Sequence, residues 1–243
     1  MNRVEICIET PQGVDAAHAA GADRLELCAS LDVGGLTPSV GLMRYAARCP
    51  LPCLAMIRPR AGSFLFDAEE AAVMKDDIRA ARQAGLAGVV LGASRPDRSL
   101  DRDLLLRLSE ECHGMERTLH RAFDLVPDPF SELEFAIEAG FTRILTSGQK
   151  PSALQGVEGL ARLQHLAQGR IVILAGSGVT AGNVQTVITR TGVTEVHASC
   201  RKPAAPLAGD DAFGFGSQPV ITDPDAIRAL VAATRQAAGN QPL

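Results

Sequence analysis

The chain has no tryptophan and a single tyrosine among its 243 residues. Lysine is nearly missing too: Lys75, Lys150 and Lys202 are the only ones, which leaves few candidates for Schiff-base chemistry. No run approaches the roughly 20 apolar residues of a membrane span, and the opening MNRVEICIET has no signal-like apolar stretch. The formal charge of −4 argues against a chain-wide attraction to nucleic acid or to anionic membrane. No CxxC pair occurs among Cys7, Cys28, Cys49, Cys53, Cys112 and Cys200, so a zinc-finger framework has no support. The expected setting is the cytoplasm, with these residues as free thiols.

What is present is a repeat of short β-prone runs separated by helical stretches. The runs are Arg3–Glu9, Asp23–Cys28, Cys53–Arg58, Ala87–Gly92, Arg117–Phe123, Thr142–Ser147, Arg170–Ala175 and Thr194–Ser199. Each is rich in Val, Ile and Leu, as buried parallel strands are. The recurring segments AGADRLEL, AGLAGVVL and AGFTRILT carry a helix-ending glycine into a strand. Pro38 suits a first helical turn after Thr37, and Asp67 with Glu70 has capping-box spacing. Eight βα units in one chain of this length predict an α/β fold, a single (β/α)8 TIM barrel over residues 1–243. An open doubly wound sheet would want a GxGxxG-type loop after the first strand, and EICIETPQG lacks one. The stretch 202–218, rich in Ala, Gly and Pro, reads as a long irregular loop at the barrel mouth, before a last helix at Asp223–Ala238.

Side chains alternate along a strand, so parity assigns faces. Val4, Ile6 and Ile8 point to the helices, which turns Glu5, Cys7 and Glu9 inward; likewise Glu26 and Cys28, and Glu195, His197 and Ser199. Arg58 falls in line with Leu54 and Met56, and His120 with Thr118, Ala122 and Asp124. Barrel interiors are usually apolar, so this polar set needs a reason. One reason is a salt-bridge network that fixes register, a reading that stands level with function for Glu5 near the bottom. For the groups near the strand C-termini a ligand or substrate site is the better reading. The candidate acid/base groups are Glu26, His120, Asp124 and His197, with Arg58, His120 or His197 as partners for Glu26.

Candidate binding residues are Glu9, Arg58, Arg60 and Arg121, with Ser177 and Gly178 in the AGSGV loop after strand 7, where small residues let backbone N–H groups approach an anion. A plain tight turn explains the same glycines. The inward thiols of Cys7 and Cys28 on adjacent strands offer a second possibility, a soft-metal site suited to Cu(I); packing as small apolar residues is the simpler account.

The ordered segments EICIET, GADRLELCASLDVGGLTPSVGL, MIRPRAGSF, HRAFD, RILTSGQ, AGSGVTAGNV and EVHAS resemble the CutC family of copper homeostasis proteins, from about residue 3 to residue 203. The resemblance implies a cytosolic barrel, a Cu(I)-binding role with Cys7 and Cys28 as the metal-binding cysteines, and a homo-oligomer. Glu9, Glu26, Arg58, His120, Arg121, Asp124 and His197 also fall within its motifs. Ser177 departs from the family, which more often has glycine there. Two functions follow as expectations: a copper homeostasis protein binding Cu(I), or a barrel enzyme acting on a small anionic or phosphorylated metabolite. The partner is then a copper ion or a small anionic ligand, with no nucleic acid and no membrane.

Overall fold

The computed structural model describes residues 2–204 and 220–239. Eight parallel strands close on themselves in chain order: β1 Arg3–Ile8, β2 Arg24–Leu27, β3 Cys53–Met56, β4 Gly88–Leu91, β5 Glu116–Leu119, β6 Arg143–Thr146, β7 Val172–Ala175 and β8 Glu195–Ala198. β8 returns to β1 with Glu5 beside His197, while the other edge of β1 sets Cys7 beside Glu26. Around them run α1 Pro11–Ala19, α2 Val40–Ala46, α3 Ala68–Ala84, α4 Arg102–Ser109, α5 Pro129–Glu138, α6 Val157–Ala167, α7 Val184–Thr191 and, later in the chain, α8 Pro224–Gly239. This is the expected (β/α)8 barrel.

The main core lies between strands and helices. Val4, Ile6, Ile8, Leu25 and Leu27 are all buried there, as parity predicts. At about 25 cal/mol per Å² of apolar surface, this layer supplies most of the drive to fold. Inside the barrel, Cys28, Leu54, Met56 and Val90 form a small separate apolar cluster. The interior faces of β1, β2, β5, β6 and β8 carry polar groups as well, with Leu145 of β6 among them.

Local signals position the helices. Asp67 and Glu70 exchange side-chain and backbone hydrogen bonds in a full capping box, and Gly85 ends α3 at φ +85°, a conformation open to glycine. Pro38 does not begin α2; Ser39 does, accepting from the Leu42 N–H, and the proline stands just outside the helix. The expected fifth strand is also too long. His120 N-caps a 3-10 turn over Arg121–Leu125, its Nδ1 accepting from the Ala122 N–H at 3.1 Å. That bond competes with strand geometry and ends β5 at Leu119, so Asp124 does not continue the strand's alternation. Of the loop expected at 202–218, Lys202 and Pro203 instead belong to β9 Arg201–Pro203, antiparallel to β10 Val220–Thr222. Positions 205–218 lie outside the described residues.

Candidate functional site

The floor of the barrel is an ionic layer. Arg24 spans Glu5 and Glu195, with Nη2 at 2.6 Å from Glu195 Oε2. Arg143 bridges the same Glu195 oxygen at 3.0 Å and also reaches Glu116. Burial alone would raise the Glu5 carboxyl, but Arg24 and His197 outweigh it and hold the group at about 2. Arg24, Glu116 and Arg143 were not singled out from sequence, although Arg24 shares parity with Glu26 and was readable on that ground.

Above the floor opens a pocket of about 820 Å³, a size suited to small ligands. At its base Cys7, Glu26 and His197 come together. One ligand atom from each lies within 4.8 Å of the others. Glu5 Oε1 sits 2.8 Å from His197 Nδ1, which turns Nε2 towards Glu26 Oε2 at 3.8 Å. Burial works against a charged His197, yet Glu26, Cys7 and Glu5 together push its pKa well above the usual value. Burial raises Glu26, with His197 offsetting part of the effect. Gly176 keeps this corner open: a Cβ there would lie 2.5 Å from Leu145 Cδ1 and 3.4 Å from His197 Cβ.

Cys28 adjoins this group on its mouth side. The register that puts Cys7 opposite Glu26 displaces Cys28 by two residues, towards the mouth. Its Sγ is 3.5 Å from Glu26 Oε2, among Leu54, Met56 and Val90, and burial with the neighbouring Glu26 raises its pKa strongly.

The wall of the pocket takes in Arg58, His120, Arg121, Ser177 and Gly178. Arg58 donates to the carbonyls of Val33, Gly35 and Gly62. His120 packs on Phe64 at 4.7 Å between ring centroids, and burial with nearby Arg58 lowers it to about 3. Phe64, the last residue of the MIRPRAGSF segment, and Cys200 also line the space.

Other candidates make contacts of their own with the scaffold. Asp124 accepts from Arg121 Nε at 2.7 Å, from the hydroxyls of Thr146 and Ser147, and from the backbone N–H groups of Ser147 and Gln149, tying the 3-10 turn to the loop after β6. Glu5 is the group that orients His197. Arg60 pairs with Glu70 and stacks on Phe66, away from the pocket wall. Glu9 accepts from the Leu31 N–H at 2.9 Å and lies 3.7 Å from Arg201.

The AGSGV loop is a closed turn. Ser177 Oγ donates to the Pro151 carbonyl, Asn183 Oδ1 accepts from the Thr180 N–H, and Asn183 Nδ2 donates to the Gly178 carbonyl. Ser177 adopts φ +76°, a conformation that favours glycine.

The family model for the CutC family matches residues 2–202. The chain belongs to the CutC family. A CutC family protein from Agrobacterium fabrum (strain C58) is 53% identical over 232 residues, 93% of this chain and 92% of that one. The human copper homeostasis protein cutC homolog is 42% identical over 199 residues, covering 82% of this chain and 73% of that one. The crystal structure of a CutC from Streptococcus agalactiae superposes with a TM-score of 0.78 at 32% identity, over 81% of this chain and 98% of that one. The CutC barrel and the copper homeostasis family expected from the sequence motifs are therefore shown. Among the described residues, no helix is long and apolar enough to cross a membrane.

Proposed function

We propose that this CutC protein handles copper by holding Cu(I) at the base of the pocket, with Cys7 and His197 as the principal donors and Glu26 beside them. The observation that carries the reading is the convergence of these three side chains within 4.8 Å, together with Glu26 Oε1, a buried oxygen with no hydrogen-bond partner among the described residues. A thiolate and an imidazole suit a soft ion that tolerates few ligands. The Glu5 carboxylate on Nδ1 fixes the ring as metal-binding histidines are commonly fixed. Cys28, the other cysteine implied by the family, adjoins the site, packed on Leu54, Met56 and Glu26. A cytoplasmic setting belongs to the same proposal, supported by six free cysteines that a reducing compartment would preserve. The homo-oligomer implied by the family is checked by light scattering of the purified chain.

Anaerobic Cu(I) titration against a competing chelator tests the site. Cys7→Ser and His197→Ala should each weaken binding by at least about 100-fold, and Glu5→Gln by about tenfold. Cys28→Ser should bind nearly as wild type. Undiminished affinity in Cys7→Ser sinks the reading, while a large loss in Cys28→Ser returns the site to the cysteine pair.

A further inference from the structure

Arg58 is 5% exposed and has no carboxylate within salt-bridge distance among the described residues. Its three hydrogen bonds all go to backbone carbonyls, two from Nη1 and one from Nη2. Nε has no partner, and Nη2 has two protons but one acceptor. The guanidinium thus keeps a full charge and two unused N–H groups beside the pocket. Buried donors without acceptors cost about 1–3 kcal/mol each, so their persistence asks for a ligand.

His120 supplies the second half. It is 3% exposed, and Nδ1 accepts the Ala122 N–H, so the single proton of the neutral ring is on Nε2. That Nε2 is buried with no partner among the described residues. Burial and Arg58 hold the pKa at about 3, which keeps the ring neutral at ordinary pH. A neutral imidazole of this kind is a fixed single donor for a carbonyl or hydroxyl oxygen. Phe64 joins the two groups, lying 4.7 Å from the His120 ring and 5.0 Å from the Arg58 guanidinium carbon. Both donors and the phenyl ring line the same pocket.

We infer that this Arg58–Phe64–His120 corner seats a small monocarboxylate bearing an oxygen on the adjacent carbon, a 2-oxo or 2-hydroxy acid. The carboxylate takes the two free N–H groups of Arg58, and the neighbouring oxygen accepts from His120 Nε2. Charge selects a monoanion over a phosphate ester. The other arginines on the wall are already neutralised, Arg121 by Asp124 and Arg201 by Asp32, and Glu26 faces the same space. One unpaired positive charge therefore meets the ligand. The inference goes beyond copper binding and does not use Cys7.

The test is a titration of the full chain, reduced and free of copper, with pyruvate, acetate and inorganic phosphate. Running it without copper separates its failure from failure of the copper reading. Calorimetry should show pyruvate binding about tenfold tighter than acetate, the worth of one added hydrogen bond to a buried donor, and tighter than phosphate. In nitrogen-15 histidine spectra of the wild type, the His120 Nε2 resonance should move with pyruvate and stay put with acetate. His120→Ala should erase the advantage of pyruvate over acetate, and Arg58→Lys should weaken both. Equal affinity for pyruvate and acetate, tighter binding of phosphate, an unmoved His120 resonance, or an advantage that survives in folded His120→Ala would each overturn the inference. If His120→Ala does not fold, the wild-type resonance decides.

Discussion

The two ends of the barrel interior are built from the same residue types and obey opposite rules. At the floor, Arg24 and Arg143 meet Glu5, Glu116 and Glu195, and each carboxylate has a cationic partner. On the mouth side of that floor, Arg58 Nε and His120 Nε2 are as deeply buried and have no partner among the described residues, and Glu26, met only by His197 at 3.8 Å, keeps Oε1 unpartnered. Burying charge is costly at either end. The floor offsets the cost internally and so belongs to the scaffold. The mouth side leaves part of it unmet, which is the physical mark of a place prepared for something else.

The strongest way to break that contrast is to cut the floor. Arg24→Met leaves Glu5 and Glu195 short of a buried partner and should cost about 3–5 kcal/mol of stability in urea unfolding. A loss below about 1 kcal/mol would mean the floor is no more structural than the mouth. A second, smaller effect sharpens the comparison through pH. Folded Glu5 titrates at about 2 against an ordinary 4.5, so between those values the unfolded chain binds more protons. The stability from Glu5 is full above about 4.5 and is lost as pH falls towards 2. Urea midpoints measured down that range should drop in the wild type and flatten in Glu5→Gln.

The smallest effect is expected at the mouth. Burial raises Glu26, so its ionised form already costs the folded state free energy, a cost that grows as pH rises through its folded value. Glu26→Gln at neutral pH should change stability by less than about 1 kcal/mol. A loss matching that of Arg24→Met would show the mouth to be scaffold as well.

How far these regions could be read from sequence follows the reach of simple periodicities. The barrel was legible because each βα unit repeats its strand, its cap and its glycine. Parity placed Cys7, Glu26 and His197 on the inner face because β1, β2 and β8 alternate regularly through those residues. It failed past Leu119, where the His120 side chain takes the Ala122 N–H and turns the backbone into a 3-10 turn. Arg60 was beyond reach for a different reason: it sits on a loop, and its direction is decided by Glu70, ten residues away on a helix. The displacement of Cys28 from Cys7 depends on the stagger between β1 and β2, which no single strand encodes.

Gly92 closes the account of His120. A Cβ at this position would lie 2.4 Å from the imidazole Cε1 and 2.5 Å from Nδ1. Positions 92 and 120 are therefore one inseparable choice. A descendant or a redesign that puts alanine at 92 must surrender the imidazole or reorient it, and with it the neutral donor. Anyone grafting this corner onto another barrel has to carry the bare backbone of β4's end along with the histidine.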